Sequence, residues 1–256
     1  IARDSGLAVG AFPDGFVVRR PDYADFVLDP DGTRVVVFPV HDDCPVETVE
    51  QVFLDQVFPL VLHARGRFAL HAGSVVLTDR GVVAFAGDSG LGKSTLASSF
   101  ARAPDAALFT DDCLALDEEG GAIVAYPSYP SSRLWPEVAS VLFAERGDLP
   151  LASSRTVKRR VALAHGSAAA PLRRIYLLEG GEGAPILARL RPAEALIELA
   201  AHLYRLDASD RRRLAQEIDW LGKVAANVPV ARLAYVRDLE RLPEVHDAIC
   251  ADLAEV

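Results

Sequence analysis

The residues with the clearest chemistry form one short run, Gly87-Asp88-Ser89-Gly90-Leu91-Gly92-Lys93-Ser94, which fits G-x-x-x-x-G-K-[ST] in full. Glycines at this spacing let successive backbone N–H groups curl around phosphate oxygens, and the helix that follows adds positive potential at its N-terminus. Lys93 is placed to reach the terminal phosphates of a nucleotide, and Ser94 offers a hydroxyl to Mg²⁺. The context fits: the β-run Val82 to Ala86 enters the loop, and a helix from about Lys93 to Arg102 leaves it. The run therefore predicts a nucleotide phosphate loop.

Two carboxylates come next. Asp111 and Asp112 end a predicted strand eighteen residues after Lys93. That span holds one helix, a short loop and one strand, which would return the chain beside the phosphate loop. Carboxyl ends of such strands face the ligand crevice. Neighbours on a strand point to opposite faces, so the two aspartates should divide the work. One can hold Mg²⁺ with Ser94 while the other meets a substrate hydroxyl. His71 lies in the strand that pairs with the one entering the loop, which brings it towards the phosphates or Asp111. Arg133, in a Pro-rich stretch, is a cation for phosphate or for a carboxylate. Lys158-Arg159-Arg160 is a charge run that could touch ATP or substrate. Arg211-Arg212-Arg213 reads as a helix surface, with Glu217 four residues beyond Arg213. Trp135 and Trp220 read as packing residues.

The elements that must position these groups follow from pattern. Short β-runs separated by turns fill the first forty residues, including Phe16-Val17-Val18, Asp25 to Leu28 and Val35 to Val40. Apolar residues Val46, Val49, Phe53, Val57 and Val61 predict a helix to about Ala64 that Pro59 kinks or divides. Phe68 to Leu77 and Val82 to Ala86 are joined by Thr78-Asp79-Arg80-Gly81, too short for a parallel crossover, so they form an antiparallel hairpin. Strand then follows to Leu116, a turn over Asp117 to Gly121, and strand again over Ala122 to Tyr126. Pro127 to Pro136 reads as irregular, and Arg146 to Lys158 as polar and mobile. Strands over Val161 to Ala164, Arg174 to Leu178, Ile186 to Leu190 and Val230 to Val236 come with three more helices. These are Ala193 to Tyr204, a second to about Ala226 capped by Ser209 or Asp207, and a last one from Pro243.

Composition narrows the class. The chain of 256 residues is 50% hydrophobic and 25% charged, which fits one large or two unequal globular units. Its 27 Lys+Arg against 36 Asp+Glu give a net charge of -9, which argues against a nucleic-acid partner. The apolar run Val35 to Val40 has six residues, too few to cross a bilayer, so no membrane partner is expected. Cys44, Cys113 and Cys250 fit neither a zinc framework nor a disulfide scaffold, which points to the cytoplasm. The chain starts at Ile1 and contains no Met, so its natural start is expected upstream.

Together the motifs resemble the catalytic domain of HPr kinase/phosphorylase and its shorter HprK-related relatives. The resemblance rests on Leu70-His71-Ala72-Gly73-Ser74, Gly87 to Thr95, Phe109-Thr110-Asp111-Asp112 and Tyr129 to Pro136. Lys158-Arg159 and Pro171 to Leu178 also match the shorter relatives, so the resemblance covers about residues 65 to 180. It implies a mixed-sheet α/β P-loop kinase fold, similar to that of ATP-dependent phosphoenolpyruvate carboxykinases. The division would be a β-rich segment plus helix over 1–64 and a kinase domain over 65–256. It further implies transfer of the γ-phosphoryl group of ATP to a serine. Asp111 matches the catalytic acid/base, His71 an active-site histidine near the phosphates, and Lys93 the phosphate-binding lysine. Ser94 and Asp112 match the Mg²⁺-binding pair, and a homo-oligomer is permitted.

Two departures matter. Segment 1–45 replaces the separate N-terminal domain of the full-length enzymes. Ser132 to Pro136 stands where those enzymes carry a Glu-Ile-Arg-Gly signature, so the resemblance does not extend to HPr itself as acceptor or to reverse phosphorolysis. The expected activity is an ATP- and Mg²⁺-dependent kinase acting on serine or threonine of a protein or peptide, such as a natural-product precursor. A small-molecule kinase acting on free serine, and a non-enzymatic nucleotide switch, are the alternatives.

Overall fold

The computed structural model describes residues 6–153 and 156–255. Residues 154 and 155, within the stretch expected to be polar and mobile, and the ends of both expected units, lie outside them. Four strands come first, β1 (Ala8–Phe12), β2 (Gly15–Arg20), β3 (Ala24–Leu28) and β4 (Val35–Pro39), paired antiparallel in that order. Alternation turns Val18, Ala24, Phe26 and Leu28 to one face, where they are fully buried against the helices that follow.

Those helices are α1 (Val46–Val52) and α2 (Phe58–Ala64), separated by a π turn over Phe53–Val57. Pro59 divides the expected helix as its missing N–H requires. It sits in the first turn of α2, and the ladder loosens just before it. The buried line also differs from the expected one. Val46 is 67% exposed, while Thr48, Val52, Asp55 and Pro59 are buried. A carboxylate therefore faces inward from this helical pair.

The remaining strands are β5 (Phe68–Leu77), β6 (Gly81–Ala86), β7 (Ala106–Thr110), β8 (Cys113–Glu119), β9 (Ala122–Tyr126), β10 (Ser131–Leu134), β11 (Arg159–Ala162), β12 (Ala170–Gly180), β13 (Ile186–Arg189) and β14 (Val230–Tyr235). Eight of them form one mixed sheet in the order β13-β14-β12-β6-β5-β8-β9, with β7 also on β5. The hairpin β5–β6 is antiparallel as expected, while β6–β12 and β12–β14 are parallel. Long β5 serves two partners: its first half pairs with β8 and its second with β7.

The helices α3 (Lys93–Phe100), α4 (Pro136–Leu142), α5 (Pro192–Ala200), α6 (Arg211–Asn227) and α7 (Leu242–Ala254) cover the sheet. Val82, Ala84 and Ala86 of β6 pack with Leu199, Leu221 and Val224 of α5 and α6. Val83 and Phe85 pack on the other face with Leu96 of α3, Leu142 of α4 and Ile249 of α7. Period-2 alternation thus explains why the strand entering the phosphate loop is apolar throughout: both its faces are covered. The result is a mixed α/β fold built on one large mixed sheet. Among the described residues, no helix is long and apolar enough to cross a membrane.

Three local expectations are corrected. Within Pro127 to Pro136, read as irregular, Ser131–Leu134 form β10 and pair with β11. The prolines flank these residues instead of interrupting them, so every ladder N–H is present. Helix α6 is capped by Asp210, whose carboxylate accepts from the backbone of Arg212 and Arg213, and not by Asp207 or Ser209. Glu217 does not sit on the surface with Arg213. It is 1% exposed and holds His63 Nε2 at 2.8 Å and Arg205 at 2.7 Å. Arg213 instead donates to the carbonyls of His63 and Ala64 at the end of α2. These contacts tie α2 to α6.

Candidate active site

A cavity of about 940 Å³ opens where β6 ends, beside β12 and β14. Its floor is the phosphate loop. Gly92 caps the start of α3 in the left-handed region at φ 96°, where a side chain would also meet the Tyr235 hydroxyl at 2.4 Å. Only glycine fits there, so the tight loop and its close approach to β14 have one cause. Tyr235 donates to the Leu91 carbonyl at 2.6 Å and pins the loop. Gly87, Asp88, Ser89, Gly90, Gly92, Lys93, Ser94 and Thr95 line the cavity, whereas Leu91 packs its side chain into the core below.

Lys93 is folded over the loop, with Nζ donating to the Gly87 carbonyl at 2.8 Å and the Asp88 carbonyl at 3.1 Å. Burial lowers its pKa, with Asp112 and Asp88 opposing. Gly73, in β5, lets the strand pass beneath both halves of the site. A Cβ there would lie 3.2 Å from the Lys93 carbonyl and 3.3 Å from that of Asp111.

Asp111 and Asp112 do not end a strand as expected: they lie in the bend between β7, which stops at Thr110, and β8, which starts at Cys113, so contacts and not alternation set their surroundings. Asp111 is 1% exposed and accepts from Ser132 Oγ at 3.0 Å and the Arg133 N–H at 2.9 Å. Burial and then the Asp112 charge raise its pKa, while Arg133 and the Ser94 hydroxyl work the other way. Asp112 lines the cavity with 24% of its side chain exposed. Burial opposes its ionisation, but Arg133, His71, Lys158 and Lys93 outweigh that and hold its pKa below the usual carboxylate range. His71 Nε2 lies 3.6 Å from Asp112, and its ring stacks on Tyr204 at 5.6 Å between centroids. Burial pushes His71 down to about 4, so the imidazole is neutral near pH 7. Ser94 is thus joined to Asp111, where the family resemblance pairs it with Asp112.

Arg133 is the hub. From β10 its guanidinium bonds both Asp112 and Asp55, and its Nε lies 3.7 Å from Asp111. Burial pulls its pKa down, but Asp112 and Asp55 more than offset this, so it stays charged. Lys158 also lines the cavity and stands 5.2 Å from the Trp135 ring. Arg159 does not join them. It donates to the Leu149 carbonyl at 2.9 Å and faces Asp148 at 3.5 Å, outside the cavity. Adjacent residues entering β11 point to opposite sides, so Lys158 and Arg159 cannot share one pocket.

Several residues escaped the sequence reading. Asp55 comes from the π turn, and Tyr129 donates to it at 2.6 Å. Tyr204, His202 and Arg237 line the cavity from loops after α5 and β14. Only Asp55 had a local signal, its place one helical step from Val52 on the line that starts at Thr48. The others follow helices or strands by chain reversals that no periodicity records.

Mg²⁺ fits this site as a companion of the nucleotide. Among the described residues no group of three or more His, Cys, Asp or Glu side chains could close around a metal. The Ser94 hydroxyl, on the cavity lining with the enclosed Asp111 charge behind it, suits an ion that keeps its waters and takes its other ligands from phosphate.

No protein-family model and no curated protein matches this chain. Among solved structures it is similar to the HPr(Ser) kinase/phosphatase from Coxiella burnetii, with 12% identity and a TM-score of 0.38. The likeness covers 72% of this chain and 97% of that one.

Proposed function

We propose that this chain is a P-loop kinase that transfers the γ-phosphoryl group of ATP to a serine or threonine hydroxyl of a protein or peptide. One observation carries the reading. The phosphate loop and a half-buried, charged carboxylate with a neutral histidine, Asp112 and His71, share one cavity. Lys93 and the loop amides would hold the β- and γ-phosphates, and Ser94, backed by the enclosed Asp111 charge, would hold Mg²⁺, which supplies charge neutralisation on the phosphates. Asp112 would orient the acceptor hydroxyl and take its proton, since it reaches the cavity while Asp111 is enclosed. This exchanges the roles implied by the family resemblance. Phosphoryl transfer asks mainly for positioning and charge stabilisation, which such an array provides.

The test is incubation of the full chain with γ-labelled ATP and Mg²⁺. Serine-containing peptides, intact proteins and free serine are offered in separate reactions. Label on a peptide or protein supports the reading. Label on free serine alone replaces it with a small-molecule kinase, and tight ATP binding with no transfer to any acceptor replaces it with a nucleotide switch.

A further inference from the structure

Three carboxylates, Asp55, Asp111 and Asp112, converge beside a loop whose chemistry is to bind an anion. Left alone they would repel the terminal phosphate. Among the described residues the guanidinium that reaches all three is that of Arg133, with 15% of its side chain exposed, and Lys158 and Lys93 add positive charge near Asp112. The arrangement is built from distant parts of the chain, because Asp55 and Arg133 are 78 residues apart. Asp55 is itself fixed: it is 7% exposed and takes the Tyr129 hydroxyl at 2.6 Å, and the Tyr204 hydroxyl lies 3.5 Å from its backbone carbonyl.

Arg133 retains a spare donor. Its Nε is buried without a hydrogen-bond partner among the described residues. The Arg133 guanidinium comes within 3.7 Å of Asp111 through Nε, and the loop hydroxyl of Ser94 acts on the same carboxylate. Lys93, Ser94 and Arg133 line the same cavity.

We infer that Asp55 is a positioning residue that parks Arg133 on Asp112, and that Arg133 passes to the terminal phosphate of ATP when the nucleotide binds. The inference deepens the kinase reading and rests on its nucleotide site. A guanidinium bonds carboxylate and phosphate with the same fork, so the exchange replaces like contacts. An arginine supplied within one chain to a γ-phosphate is a known way of stabilising transfer. Its departure would also strip the counterion from Asp112 and leave that carboxylate open to the acceptor hydroxyl. ADP lacks the phosphate that draws Arg133 away, so the parked state would discriminate between the two nucleotides.

Calorimetric binding of Mg²⁺-ATP and Mg²⁺-ADP to the full chain tests this without requiring transfer. Asp55→Asn should tighten ATP about fivefold, because one of two competing carboxylates is gone, and leave ADP within about twofold. Arg133→Ala should weaken ATP about tenfold more than ADP. In the Arg133→Ala background, Asp55→Asn should then change nothing further. Equal effects on ATP and ADP, or an Asp55→Asn effect that persists without Arg133, overturn the inference. Should Asp55→Asn not fold, Arg133→Ala decides alone: loss of ATP preference supports the inference and its retention sinks it. The expected binding pattern without phosphorylation of any acceptor would keep this inference and reject the kinase reading.

Discussion

Two arginines, Arg174 on the large sheet and Arg133 on the separate β10–β11 pair, make opposite bargains. Arg174, in β12, is 1% exposed and lies 3.1 Å from Asp252, which also takes the Tyr176 hydroxyl at 2.8 Å and Arg189 at 3.1 Å. Two guanidiniums and a phenol converge there on one carboxylate, away from the cavity lining. Around Arg133 the ratio is reversed, with three carboxylates on one guanidinium and a cavity beside them. The first cluster closes α7 onto the sheet. The second is satisfied only while Arg133 remains, and it borders space for a polyanion. Donor-to-acceptor balance, not burial, separates a brace from a working site.

The sharpest way to break this comparison is to remove the cation of the working site. Lys93→Ala should abolish transfer and weaken ATP binding, as the loop loses the charge that neutralises the terminal phosphates. Single-turnover assays and calorimetry check it, and unchanged turnover would end the kinase reading.

The two aspartates come next. Asp112→Asn should cut the transfer rate by about 10² to 10⁴ while ATP affinity survives, the range expected for losing a general base. Asp111→Asn should instead raise the Mg²⁺ concentration needed for half-maximal rate, since a hard cation loses an anionic partner. If Asp111→Asn shows no metal effect and Asp112→Asn does, the family-like assignment holds and ours fails.

The brace should respond in the opposite currency. Asp252→Asn should destabilise the protein by about 3–5 kcal/mol, because the buried Arg174 guanidinium loses its counterion. The rate per folded molecule should stay the same. Denaturant titration with an activity assay separates the two.

A pH effect of smaller size should belong to the working site. His71, depressed to about 4, binds a proton more readily in the unfolded chain, so its contribution to stability is intact above about pH 6.5 and falls as pH drops towards 4. Asp55, raised by burial to about 6, works against it: the folded state binds its proton more readily, so its contribution is complete below about pH 4 and lost as pH rises through 6. Melting temperatures between pH 4 and 7 should rise less steeply in His71→Asn than in the unaltered protein. They should rise more steeply in Asp55→Asn. Identical slopes in all three would remove both assignments. The smallest effect is expected at Arg159→Ala, which should leave transfer within about twofold because its partners lie outside the cavity.

What could be read from the sequence was whatever contiguous residues settle among themselves. The phosphate loop was legible because its glycines and Lys93 act within one turn of chain. The β5–β6 hairpin was legible because four connecting residues leave it no other geometry. Asp111 and Asp112 were legible as a pair beside the loop, but not their place in the bend between β7 and β8, nor which would be enclosed. That depended on β10, which lays Ser132 and the Arg133 amide over Asp111 and leaves Asp112 facing the cavity. Asp55 was out of reach for the same reason. A helical pattern can place a carboxylate on a buried line, but only the docking of α1 and α2 against the rest of the chain decides that the line ends at Arg133. Local sterics are written in neighbouring residues, whereas the balance of buried charge is set by which distant faces the packing brings together.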